Sequence, residues 1–347
     1  MTGEKNIQIL LAARPQGAPK DSDFEIVEAP VPEPGAREML LRVLYLSLDP
    51  VIRLRMNASS YWPAFELGQP LGARAICAVA KSNIAEYRAG DFVVTAGIWA
   101  NYMISNGKGI DGRPLLKLDP ARGPLTLPLH VLGITGFTAY SGLLEIGQPK
   151  PGETVLVSGA SGAVGSVAGQ IAKLKGCRAV GIAGGPKKCA FLVEELGFDA
   201  AVDYKRADFA AALEAALPQG IDVYFENVGG AAFDAAVPLF NRNARIAVCG
   251  TVSEYNIVER AMGPDKLSGL LLAILGKRLT LRGFVIGDWF AKMPQFLAEA
   301  GAWVRDGKLK YREEIIEGLE HAPAALQAML RAETFGKVIV KLGEPPR

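Results

Sequence analysis

The sequence predicts an α/β protein of two domains, a β-rich domain first and then a domain built on a doubly wound parallel sheet. Three observations lead there. Pro15, Pro19, Pro30, Pro32 and Pro34 exclude long helices from the opening segment. After Leu127, short β-branched runs alternate with helical stretches of about ten to fifteen residues, the pattern of a parallel sheet with crossover helices. Between the first such strand and helix lies a turn with glycine at 159, 162 and 165, the junction that doubly wound folds require. At 347 residues, 50% of them hydrophobic, the chain has enough apolar surface for two cores.

In the first domain, 38–48 alternates around Met39, Leu41, Val43 and Tyr45 and reads as a strand; 75–81 and 91–97 read likewise. Residues 130–146 suit a helix, with Leu132, Phe137, Tyr140, Leu143 and Leu144 at helical spacing. Strand 153–158 and helix 164–175 follow, then strand 178–183, helix 187–196 and further strands at 200–203, 221–226 and 245–250. A helix at 323–331 and a strand at 337–342 close the chain. The expected division is 1–127, with 300–347 returning to it, and 128–299.

Composition narrows the function. The chain carries 38 basic and 36 acidic residues, a formal net charge of +2, without the basic excess of a nucleic-acid binder. Cysteines stand at 77, 177, 189 and 249 with no Cys-x-x-Cys pair, which suits a reducing compartment, the cytoplasm. The first ten residues lack the basic and apolar regions of a secretory signal. The most apolar run, 267–276, is about half the length of a bilayer crossing, so no membrane association is expected.

The stretch 155–175, VLVSGASGAVGSVAGQIAKLK, is the most informative in the chain. An apolar strand runs into Gly159, Gly162 and Gly165 and on into a helix. That order gives a tight turn, close backbone approach to a diphosphate, and close packing of helix on strand. The helix N-terminus adds free N–H groups and partial positive charge. Ala160 replaces the first glycine of the usual Gly-x-Gly-x-x-Gly fingerprint. The prediction is a dinucleotide site, against the alternative of an ordinary strand-to-helix turn. An NAD site places an acid at the end of the second strand for the ribose hydroxyls. Here Ile182-Ala183-Gly184-Gly185 holds none, and Lys187 and Lys188 follow, which would attract a 2′-phosphate. NADP(H) is the expected cofactor; solvated helix-start lysines are the competing reading.

No metal site can be assembled from the sequence. Zinc-dependent hydride transfer needs thiolate and imidazole ligands, yet histidine occurs only at 130 and 321, and Cys77 is the one cysteine before residue 125. His130 opens an apolar helix, where a packed or capping role is the plainer one. A Gly-x-Ser-x-Gly nucleophile elbow is missing too. Metal-free hydride transfer, supported by hydrogen bonds, is the chemistry left standing.

Residues along nearly the whole chain carry a resemblance. They are Ser47-Leu48-Asp49-Pro50 with Arg53 and Arg55-Met56, then 133–140 (GITGFTAY), then the glycine turn. Glu226-Asn227-Val228-Gly229-Gly230, Cys249-Gly250 with Tyr255-Asn256, Gly283-Phe284-Val285 and Phe335-Gly336-Lys337 complete the set. In this order they resemble the zinc-independent medium-chain dehydrogenases/reductases, within them the prostaglandin reductase, 2-alkenal reductase and curcumin reductase group. The resemblance implies a GroES-like β domain, a Rossmann domain and NADPH held between them. It also implies reduction of the C=C bond of α,β-unsaturated ketones and aldehydes.

By the same resemblance, Ala163, Val164, Gly165 and Ser166, beside Gly162, contact the diphosphate, and Lys188 and Tyr204 hold the 2′-phosphate. Asn227, Cys249, Gly250, Thr251 and Tyr255, with Phe284, Val285 and Ile286, line the nicotinamide side, and Thr334 adds a cofactor contact. Val51 stands where the family commonly has tyrosine, and Thr334 where it often has asparagine.

Physical chemistry gives some of these residues roles of their own. Asn227 follows the apolar segment 223–225, so its amide is expected to reach the crevice at the strand's carboxyl end; an Asx-turn onto Val228-Gly229-Gly230 is the alternative. In conjugate reduction, negative charge collects on the carbonyl oxygen, and a donor placed there lowers the barrier. Tyr255, past another strand end, is the expected donor and the one catalytic residue. A wall position for it, with the cofactor's ribose hydroxyl or water as donor, is the alternative. Competing functions are a quinone reductase and a cofactor-binding protein without turnover. Segment 279–285 resembles the strand that family members pair across a dimer axis, so a homodimer is expected. The loop 57–67 is expected to shape the substrate pocket.

Overall fold

The computed structural model describes residues 5–57, 63–258 and 266–345 and divides into two compact units, Met1–Leu129 with Glu313–Arg347, and His130–Arg312. In the first unit, β1 (Lys5–Leu11) and β2 (Phe24–Pro30) pair antiparallel. A larger sheet holds β3 (Met39–Ser47), β4 (Gly72–Ser82), β5 (Phe92–Ile98), β6 (Tyr102–Ser105) and β7 (Leu116–Leu118), with the short helix α1 (Val51–Arg55) after β3. β3 was expected to alternate, but it is buried on both faces. It pairs with β4 and β6 and lies inside the sheet, so apolar residues are needed on each side.

The second unit opens with α2 (Ile134–Ser141), later than the 130 expected. His130 O accepts the N–H of Gly133 and Gly136 and the Thr135 hydroxyl, which holds 130–133 in a turn. A wide π-type turn, Gly142–Gly147, ends the helix. Then come β8 (Thr154–Val157), α3 (Gly165–Leu174), β9 (Arg178–Ala183), α4 (Pro186–Ala190) and β10 (Ala200–Asp203). After α5 (Phe209–Ala216) the chain crosses back to β11 (Ile221–Glu226), α6 (Gly230–Ala236), β12 (Phe240–Val248), α7 (Leu267–Lys277) and β13 (Thr280–Gly283). The six strands are parallel in the order β10-β9-β8-β11-β12-β13. The order reverses between β8 and β11, and their carboxyl ends flank the switch point where doubly wound sheets bind ligands.

Helix α8 (Met293–Arg305) stays with this unit, as do residues 306–312, because Tyr140 donates to Glu299 and Gln170 exchanges hydrogen bonds with Lys310. The closing segment β14 (Glu313–Glu317), α9 (Ala322–Leu330) and β15 (Lys337–Lys341) belongs to the first unit, where β15 pairs antiparallel with β3. Lys337 is fully buried there. Its ammonium donates to Leu48 O (2.5 Å), Asp49 Oδ1 (3.1 Å) and Val338 O (3.1 Å), which fills its three N–H groups. Burial lowers its pKa and the Asp49 carboxylate opposes that.

Packing against the parallel sheet is tightest where α3 meets Phe198. A Cβ at Gly169 would fall 1.9 Å from the Phe198 ring, so the helix can lie flat on the ring only with glycine there. Gly169→Ala should therefore destabilise the protein by about 1–3 kcal/mol despite alanine's better helix propensity. Thermal unfolding checks this, and Phe198→Leu in the same chain should recover part of the loss.

Candidate active site

The site grows from the end of β8. Gly159 turns the chain with φ +57°. A Cβ at Gly165 would stand 2.4 Å from Gly159 O and 2.8 Å from Ala160 Cα, so the start of α3 must be glycine. At Gly162 the nearest atom, Gly159 O, is 3.3 Å away, so the tightest approach is at 165. Ala160 is buried, and its methyl fits because Gly181 faces it from β9, where a Cβ would come within 2.9 Å. The glycine missing from the fingerprint is thus matched by one across the sheet. Ala163 and Val164 form the turn ahead of α3 and Gly165 begins the helix, whose first N–H groups have no partner within it. Ser166 N–H already has a carbonyl one turn earlier, donating to Gly162 O at 3.0 Å.

The second corner lies at the ends of β9 and β10. Gly184 backs onto the Tyr204 ring, where a Cβ would meet a ring carbon at 2.8 Å. Gly185, at φ +93°, leads into α4, which carries exposed Lys187 and half-buried Lys188. Helix α4 packs against β9 and β10, which brings Lys188 and Tyr204 to the same end of the sheet. An acid does stand nearby, on the third strand of the unit. Asp203 Oδ1 accepts the N–H of Gly185 (2.8 Å) and Lys205 (3.0 Å). Desolvation pushes this carboxyl up, but the two N–H groups and nearby cations outweigh it and hold it below its ordinary range.

The third part joins the ends of β8, β11 and β12. Ser158 Oγ donates to the buried Glu226 Oε1 (2.5 Å), which also accepts Val228 N–H (2.5 Å) and Gly229 N–H (3.0 Å). Asn227 does not extend a free amide as expected: its Nδ2 donates to Ser158 O (2.8 Å) and its N–H to Ser158 Oγ (2.8 Å). Nor is this the Asx-turn alternative, since the amide reaches back to β8. Strand β12 ends at Val248, two residues earlier than expected, where Cys249 and Gly250 turn off to donate their N–H groups to Glu226 O. Val252 N–H donates to Asn227 O, which anchors the Thr251 turn. A Cβ at Gly250 would lie 3.1 Å from the Tyr255 hydroxyl and 3.4 Å from Asn227 O, so these groups converge. Burial, helped by Glu226, pushes the Cys249 thiol up to about 12 and keeps it protonated at neutral pH.

Past β13, the Phe284 ring sits edge-on to Phe225 at 6.4 Å and against Gly142, where a Cβ would come within 2.4 Å. That side chain is packing, followed by Val285 and Ile286 at the start of a short 3₁₀ turn. Thr334 lies in the other unit, in the loop before β15. Val51 begins α1 there, and residues 58–62 of the expected pocket loop lie outside the described residues.

Comparison with known proteins places this geometry. Residues 7–112 match the model of an N-terminal domain of oxidoreductases, and 163–302 that of a zinc-binding dehydrogenase domain. The NADPH-dependent curcumin reductase of Escherichia coli (strain K12) is 46% identical, across 98% of this chain and 97% of its own. The 2-alkenal reductase (NADP(+)-dependent) of Nicotiana tabacum is 38% identical, across 96% of this chain and 97% of its own. The chain belongs to the zinc-independent medium-chain dehydrogenases/reductases. The crystal structure of CurA from Vibrio vulnificus in complex with NADPH superposes with a TM-score of 0.92 at 45% identity, covering 98% of this chain and 100% of that one. The fold is accordingly a GroES-like β domain with a Rossmann domain. Among the described residues of this medium-chain reductase, no group of three or more His, Cys, Asp or Glu is placed to hold a metal ion.

Ser158, Glu226 and Asp203 are the site-forming residues that sequence reasoning missed. A serine and an acid at strand ends carry no signal alone; their common meeting at β8 and β11 becomes visible only once the strand order is known.

Proposed function

We propose that this chain is an NADPH-dependent oxidoreductase that reduces the C=C bond of α,β-unsaturated ketones and aldehydes without a metal. The observation that carries the reading is the corner at β9 and β10. There Lys188 and Tyr204 come to the same end of the sheet, and Asp203 Oδ1 accepts the main-chain N–H groups of Gly185 and Lys205. The relatives named for NADPH-dependent curcumin reduction and 2-alkenal reduction support the cofactor and the substrate class.

NADPH supplies a hydride for the β carbon of the conjugated substrate. Every other contribution comes from the chain. Ala163, Val164, Gly165 and Ser166 receive the diphosphate at the start of α3, with Gly162 leaving the backbone open. Lys188 and Tyr204 receive the 2′-phosphate. Asn227 Oδ1, the main chain of Cys249, Gly250 and Thr251, and the main chain at Phe284, Val285 and Ile286 border the nicotinamide. With its ring committed to packing, Phe284 can act only through its backbone. Tyr255, held with its hydroxyl beside Gly250, donates to the carbonyl oxygen as charge gathers there, and proton delivery to the α carbon completes the reduction.

The test follows NADPH absorbance with an enone, an enal and a quinone, with products identified. Reduction of the enone and enal at the C=C bond is expected; turnover of the quinone alone would overturn the reading. In the same assay Lys188→Ala should weaken NADPH by about tenfold or more and leave NADH nearly unchanged, as loss of one charge-assisted bond predicts. Equal losses would remove Lys188 from the 2′-phosphate. Tyr255→Phe should lower kcat by about 10²-fold with cofactor affinity unchanged, the scale of a lost transition-state donor; an unaltered kcat would assign the role elsewhere.

The protein also acts as a homodimer. The outer edge of β13 has no partner strand among the described residues. Beside it in sequence, α7 exposes Leu267, Leu271, Leu272 and Leu275, the last two by 70% and 77%, a face that a second copy would cover. Sedimentation should give a dimer that Leu272→Glu with Leu275→Glu dissociates; a wild-type monomer would end this reading. The four free cysteines support the cytoplasm as its compartment, which cell fractionation would check. No described helix is long and apolar enough to cross a membrane.

A further inference from the structure

Beyond the residues that would touch cofactor, we infer that Glu226 is a positioning residue that keeps the diphosphate turn and the nicotinamide-side loops in register. The inference rests on the reading of the second unit as an NADPH site.

Glu226 ends β11 and is 1% exposed. A carboxyl group taken out of water is costly unless it is hydrogen-bonded, and bonds to it hold geometry. Glu226 Oε2 is buried with no hydrogen-bond partner among the described residues, so the bonding is concentrated on the other oxygen. Here one oxygen, Oε1, takes donors from two separate loops. Ser158 Oγ, at 2.5 Å, comes from the residue just before Gly159. Val228 N–H at 2.5 Å and Gly229 N–H at 3.0 Å come from the loop after Asn227. Successive N–H groups converging on one anion form the kind of concavity that binds phosphate elsewhere; here the chain's own carboxylate fills it.

The link is closed by the neighbours. Ser158 Oγ donates to Glu226 and accepts Asn227 N–H, while Asn227 Nδ2 returns to Ser158 O. The main-chain oxygen of Glu226 accepts Cys249 N–H at 2.8 Å and Gly250 N–H at 3.1 Å. Gly250 in turn borders the Tyr255 hydroxyl. One residue therefore sets three strand ends: its side chain ties 158 to 228–229, and its carbonyl ties both to 249–250.

A ligand that spans all three loops depends on this register, whereas one confined to the adenosine end does not. The experiment compares NADPH with adenosine 2′,5′-bisphosphate by fluorescence titration of the purified protein. Glu226→Ala should weaken NADPH by about tenfold or more and the bisphosphate by less than about threefold, since several bonds to a charged acceptor are lost at one end of the site only. Glu226→Gln keeps an acceptor oxygen and should restore most of the NADPH affinity. Where Glu226→Ala does not fold, Ser158→Ala carries the test. It leaves the carboxylate on Val228 and Gly229 and should weaken NADPH by about threefold with the bisphosphate unchanged. Equal weakening of both ligands, full NADPH affinity in Ser158→Ala, or failure of Gln to rescue would overturn the positioning role alone. A wild-type protein that does not bind NADPH would overturn the cofactor reading and this role with it.

Discussion

The close approach of Gly165 to Gly159 is the constraint on which the second unit is built. With 2.4 Å between a built Cβ and the Gly159 carbonyl oxygen, no side chain can enter, so α3 begins directly over the turn that ends β8. That contact fixes the angle at which the helix leaves the sheet. It aims the first-turn N–H groups at the switch point, and it buries Val167, Ala168, Ile171 and Ala172 against the strands beneath. The neighbouring glycines follow from it. Gly169 lets the helix lie on Phe198, and Gly181 makes room for the Ala160 methyl under the turn. Small residues are spread over two strands and a helix because a single packing plane requires them all.

Much of this was legible beforehand. Strand-to-helix alternation and the glycine turn gave the parallel sheet, and β8, β9, β10 and β11 fall within a residue or two of expectation. Helix ends were less legible, for a physical reason. The π-type turns at Gly142–Gly147 and Phe191–Glu195 keep helical spacing of apolar residues while changing the hydrogen bonding, so periodicity runs through them unbroken. The site divided in the same way. Residues singled out by glycine or charge, such as Gly165 and Lys188, announce themselves by type. Asn227 was read from its strand-end position and from the resemblance, Phe284 from the resemblance alone, and each side chain is committed inward, one to Ser158 and the other to Gly142 and Phe225. Position along a strand says where a backbone goes, not which partner captures the side chain.

Among the described residues, each unit buries an ionisable side chain at the end of a strand, Lys337 in the first and Glu226 in the second, and neither is explained by core packing. Lys337 in the first unit holds the main chain at Leu48 and the Asp49 carboxylate, just before Pro50 and α1. Glu226 in the second holds the loop ends around Asn227. Replacing such a group with an apolar one of equal volume can be neutral for stability. What an apolar residue cannot do is collect donors or acceptors from separate loops and fix their directions. Both residues stand in or next to segments that carry the family resemblance, Ser47-Leu48-Asp49-Pro50 and Glu226-Asn227-Val228-Gly229-Gly230.

Asp203 shows why coenzyme preference is a question of lone pairs and not of inventory. Counting acids near the second strand end would find one, on the adjacent strand, and an NAD preference could be argued from it. Its Oδ1 accepts Gly185 N–H and Lys205 N–H, and the depressed pKa records that these donors stabilise the charged form more than burial disfavours it. At that oxygen a ribose diol would have to compete with two main-chain donors already in place. The same two bonds draw Gly185 and Lys205 together, which sets the start of α4 and with it Lys188. The carboxylate on which an NAD preference could be argued is thus part of the clip that shapes the turn ahead of Lys188.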